Sequence, residues 1–123
     1  MAGRRSLNVT LWVAALFNLG AALLLAFPAA LGQRIGLPAD VPVVYSALTG
    51  LFVLLFGASY AWMALQPAVV RPLLAFGAIG KTAAFVAAVL LWCLDAIPLP
   101  ILLAGIGDLV FAALFVRWLW DSR

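Results

Sequence analysis

Leu73–Leu94 reads LLAFGAIGKTAAFVAAVLLWCL, and after Asp95-Ala96-Ile97-Pro98 the chain resumes as LPILLAGIGDLVFAALFVRWLW over Leu99–Trp120. Each run is long enough to cross a bilayer, because a helix rising 1.5 Å per residue spans a hydrocarbon core of about 30 Å with about 20 residues. Each also carries one ionisable residue well inside it, Lys81 in the first and Asp108 in the second. The break between them holds Asp95, Pro98 and Pro100. Proline cannot continue a helix but starts one well, so Pro100 reads as a first-turn residue.

Working outward, two further runs have the same character, about Leu7–Leu31 and Val43–Leu65. Gly32, Gly36, Pro38 and Pro42 separate these two, and Pro67 and Pro72 bracket the join to the third run. Ser6 and Asp40 are the expected N-caps of the first and second spans. The last two joins are too short to hold a domain, so consecutive helices should be antiparallel neighbours. The predicted fold is all-α: one integral membrane four-helix bundle over residues 1–123, antiparallel and up-down-up-down. Arg4 and Arg5 ahead of a long apolar run also suggest a cleavable signal sequence. A signal h-region is about 7–15 residues, and this run is longer, so it reads as a span. No internal sequence repeat is evident.

Composition agrees. Of 123 residues, 68% are hydrophobic and 9% charged, against about a quarter charged in a soluble domain. The net charge of +3 comes from residues at span ends, which points to membrane orientation and away from nucleic acid. With the N-terminus inside, Arg4, Arg5, Arg71, Arg117 and Arg123 lie on the cytoplasmic side and Arg34 outside, so both termini are expected to be cytoplasmic. There is no histidine and one cysteine, Cys93. Zinc sites of the Cys/His type and histidine-ligated haem are therefore excluded, and no cofactor or metal is expected.

Membrane helices associate through small residues, since lipid is as apolar as leucine. Each span shows such a face at three-four spacing: Ala14, Asn18, Ala21 and Leu25; Ser46, Gly50, Val53, Gly57, Tyr60 and Ala64; Gly77, Lys81, Ala84 and Ala88; Ile101, Gly105, Asp108 and Ala112. Gly50, Gly57, Gly77 and Gly105 are the expected helix-packing positions. Polar residues fall on the same faces. Lys81 and Asp108 lie at matching depth on adjacent antiparallel spans, Asn18 at similar depth, and Tyr60 nearer the inner surface. A charge at a helix centre costs about 2.5–3.5 kcal/mol on insertion scales, so such residues pair and face the bundle. Three roles are open for the pair: fixing the register of two helices, forming a site for a ligand headgroup or a proton relay with Asn18 and Tyr60, or, for Lys81 alone, snorkelling toward the cytoplasm.

The segments Gly57-Ala58-Ser59-Tyr60, Gln66-Pro67, Arg71-Pro72, Gly80-Lys81, Gly107-Asp108-Leu109 and Phe111-Ala112 resemble a group of small four-span bacterial membrane proteins and are loosely similar to the DoxX-like proteins. Asn18 stands where that family has an arginine-containing first-span pattern. The resemblance implies a bacterial inner-membrane location and association with terminal quinol oxidases as a small subunit. No catalytic residue carries over, and no nucleophile–base set or phosphate loop is present. Two functional classes follow. One is a non-catalytic accessory subunit or binder of a small lipophilic molecule such as a quinone or lipid, with a membrane-complex partner. The other is a small transporter or proton or ion pathway through Lys81 and Asp108, acting as a homo-oligomer.

Overall fold

The computed structural model describes residues 3–123, and every regular element among them is a helix. Four helices of 23 residues each, α1 (Arg4–Ala26), α2 (Val43–Leu65), α3 (Arg71–Cys93) and α4 (Leu99–Asp121), run up-down-up-down. All are long and apolar enough to cross a membrane. Their outward faces carry Leu16, Val43, Trp62, Leu65 and Ile79, all well exposed. An apolar surface of that extent belongs in lipid, and the chain is a multi-pass membrane protein.

Several expected boundaries move. The first span is not Leu7–Leu31. It begins at Arg4 and ends at Ala26, because Phe27 precedes Pro28 and the residue before a proline is driven out of the α region. Ser6 therefore lies inside α1, where its carbonyl accepts from Thr10 Oγ1, and Gly3 is the N-cap. Asp40 does not cap α2, whose N-cap is Pro42. The third helix starts at Arg71, and Pro72 and Pro100 occupy first turns. The α1–α2 connection contains a short 3-10 helix, Gly32–Ile35, closed by Gly36 at φ 92°. At the end of α3, Asp95 takes φ 56°. Its amide donates to Trp92 O and that of Ala96 to Leu91 O, the Schellman pattern with aspartate in the usual glycine place.

The four helices form two hairpins. Within each, small residues let the backbones meet. A Cβ placed on Gly50 would lie 2.6 Å from Ala26 Cβ, one on Gly57 would lie 2.9 Å from Asn18 Cβ, and one on Gly105 would lie 2.7 Å from Ala88 Cβ. Between the hairpins the spacers are large. Phe56 stacks on Phe76, the Tyr60 ring faces Gly77, and Phe17 meets Phe111 edge-on. The hairpins thus touch through aromatic side chains, with their backbones apart. The face expected on α1 shifts by one residue, since Ala22 is buried and Ala21 only partly so. On α3, Ala84 is exposed.

Although the sequence shows no repeat, the hairpins share one device. Arg4, the first residue of α1, donates to Met63 O and Gln66 O at the end of α2. Arg71, the first residue of α3, donates to Leu119 O and to Ser122 Oγ at the end of α4. In each hairpin a guanidinium donates to the last turn of the neighbouring helix and sits at the negative pole of that helix's dipole. Above these clamps, Leu7, Leu11, Met63, Leu74 and Phe115 form a closed apolar core at the end of the bundle that carries both chain ends.

Candidate functional site

Lys81 lies near the middle of α3 and Asp108 near the middle of α4. The antiparallel pairing of α3 with α4 brings Lys81 Nζ to 2.7 Å from Asp108 Oδ1. The same ammonium donates to Asn18 Oδ1 at 2.6 Å, across to the other hairpin. Asn18 Nδ2 in turn donates to Val53 O at 3.1 Å. The bonds form one chain through all four helices: Asp108 on α4, Lys81 on α3, Asn18 on α1 and the backbone of α2. Lys81 is only 3% exposed and does not snorkel. Its length is used inward, toward partners that offset the cost of burying its charge.

Three aromatic rings complete the surroundings of the ammonium. Their centroids lie 4.8 Å (Phe17), 5.1 Å (Phe111) and 5.3 Å (Tyr60) from Nζ. Such contacts contribute about 0.5–2 kcal/mol, more where the cation is desolvated. Neither Phe17 nor Phe111 is among the site residues expected from the sequence. A signal was available, because Phe17 neighbours Asn18 and Phe111 lies three residues beyond Asp108 on the same face.

The network forms one end of a cavity of about 370 Å³ between the hairpins. Phe52, Phe56, Leu24, Ile101 and Ala104 line its sides, and Ile35 and Leu37 of the α1–α2 connection lie at its far end. Ala21 and Ala84 also line it, which explains why these members of the small-residue faces are not packed: their helices border a chamber there. Gly36 approaches Pro98 of the α3–α4 connection, so the two connections meet over that end. The cavity thus extends from the network away from the Leu7–Phe115 core.

Of the residues expected at the site, Asn18, Tyr60, Lys81 and Asp108 all border this cavity. Gly50, Gly57 and Gly105 lie at close backbone approaches within hairpins, and Gly77 seats the Tyr60 and Phe115 rings. Two polar atoms at the cavity make no hydrogen bond. Asp108 is 18% exposed and uses only Oδ1. Tyr60 is 1% exposed, and its hydroxyl has no hydrogen-bond partner among the described residues. No fully sealed side-chain polar atom lacks a partner, so each of these two oxygens keeps some accessible surface. Comparison with protein-family models, with curated proteins and with solved structures finds no match to this chain.

Proposed function

We propose that this protein is a non-catalytic binder of a small lipophilic molecule, held between its two hairpins with the polar end of the ligand at Lys81, Asp108, Asn18 and Tyr60. The observation that carries the reading is the apolar cavity closed at one end by a polar cluster. That is the general build of a small-molecule site: hydrophobic walls with a few placed polar groups, at a volume within the usual range of about 300–1,000 Å³. A quinone or a lipid fragment has the matching chemistry. The resemblance to DoxX-like proteins supports a role as an accessory subunit that presents such a molecule to a membrane complex. Arg4, Arg5, Arg71, Arg117 and Arg123 gather at the end of the bundle that holds the termini, and Arg34 lies at the other. By the positive-inside rule this supports cytoplasmic termini in a bacterial inner membrane.

The transport alternative rests on the same midplane charges. A buried apolar core from Leu7 to Phe115 stands between the network and the termini, which favours binding over passage. The test is extraction. Protein purified in mild detergent and moved to nanodiscs should retain a lipophilic species near one per chain, detectable by mass spectrometry. Ala84→Phe fills the cavity from a residue that is not packed and should abolish retention. An equal amount retained by that variant would refute the reading.

A further inference from the structure

From the hydrogen-bond capacity left at the cavity end, we infer that the site selects an uncharged headgroup bearing a hydroxyl, an alcohol or phenol, over a carbonyl, an ether or an ion. The inference rests on the ligand-binding reading above and narrows it to a class.

Charge comes first. Lys81 and Asp108 neutralise one another at 2.7 Å. The ring faces of Phe17, Tyr60 and Phe111, which would attract a cationic head, are already directed at Lys81's own ammonium. An anion would compete with Asp108 for that ammonium. No uncompensated charge remains to repay moving an ionic head to mid-membrane, where an ion is costly.

Donors and acceptors come next. Asn18 is engaged through both ends of its amide, to Lys81 and to Val53. Lys81 has two of its three N–H groups in use. The polar atoms at the cavity that make no hydrogen bond at all are the second carboxylate oxygen of Asp108, which only accepts, and the Tyr60 oxygen, whose hydroxyl can donate. A ligand hydroxyl serves both at once, giving its hydrogen to Asp108 and its lone pair to Tyr60. A carbonyl or ether oxygen satisfies Tyr60 but gives Asp108 nothing. A quinol would accordingly be preferred to the matching quinone.

Length is the third constraint. The lining residues on α1 run from Phe17 to Leu25, about 12 Å at 1.5 Å per residue. That is less than half of the hydrocarbon core of about 30 Å. It suits a ring with a short chain, and the carbon chain would point at Ile35 and Leu37.

Three probes of nearly equal shape separate the contributions: 4-butylphenol, 4-butylanisole and butylbenzene, titrated against the purified protein in nanodiscs with the affinity read from tryptophan fluorescence or calorimetry. The phenol should bind about tenfold or more tighter than the anisole, the usual effect of one hydrogen bond to a charged group. The anisole should bind a few-fold tighter than butylbenzene. Asp108→Asn should erase the phenol-over-anisole preference. Tyr60→Phe, which keeps the buried ring, should erase the anisole-over-butylbenzene preference. Equal saturable binding of all three probes would overturn the headgroup rule while keeping the cavity as a lipophilic site. No saturable binding of any probe would overturn the binding reading as well. A phenol preference unchanged in both variants would place the hydroxyl elsewhere and also overturn the inference.

Discussion

Lys81→Met and Asp108→Asn remove opposite halves of one ion pair, and the structure makes their costs unequal. Removing the lysine leaves the Asp108 carboxylate with no hydrogen-bond donor among the described residues, and Asn18 Oδ1 also loses its donor. Breaking a buried pair in this way costs about 3–5 kcal/mol. Removing the carboxylate charge leaves the ammonium much of its support. Asn18 still accepts at 2.6 Å, three ring faces remain within 5.3 Å, and the new amide oxygen can replace Asp108 Oδ1. Each ring contributes about 0.5–2 kcal/mol, so Asp108→Asn should cost about 1–3 kcal/mol. The double variant should cost less than the sum by about 1–3 kcal/mol, the coupling expected for groups in direct contact. Equilibrium unfolding in mixed detergent micelles, followed by tryptophan fluorescence, measures all four corners of the cycle. Additive losses would show that the pair is not coupled. A larger loss for Asp108→Asn than for Lys81→Met would refute the reasoning that the rings and Asn18 carry the cation.

The glycines give a second contrast: Gly50→Ala and Gly105→Ala force a methyl to within 2.7 Å of a neighbouring alanine Cβ and should each destabilise by about 1–3 kcal/mol, whereas Gly20→Ala, with nothing within 4 Å, should be neutral or gain up to about 1 kcal/mol, as thermal unfolding in detergent would record. Arg4→Met and Arg71→Met each unclamp one hairpin and should raise hydrogen exchange at the C-terminus of α2 and of α4 respectively, while leaving the other hairpin unchanged; equal effects on both would show that the clamps do not act within hairpins.

Much of this architecture is already present in the order of residues. Four apolar runs punctuated by proline and glycine leave a chain in lipid no alternative to four helices, because every backbone polar group must be satisfied within its own segment. The depths of Lys81 and Asp108 follow from counting along adjacent antiparallel helices, and Gly50 and Gly57 share a face by spacing alone. Pro28 also carried the end of α1, although the apolar residues beyond it disguised the boundary. What the sequence did not decide was azimuth and separation. In a bilayer the inner and outer faces of a helix are equally apolar, so periodicity says little about how far each helix is rotated or how closely it meets its neighbour. Only the packed structure decided that two hairpins close tightly on small residues while aromatic rings hold them apart. That separation creates the cavity, turns Ala21 and Ala84 toward it, brings Asn18 across to Lys81, and rings the ammonium with Phe17, Tyr60 and Phe111. These contacts join residues tens of positions apart, and their distances depend on helix crossings that no local pattern encodes.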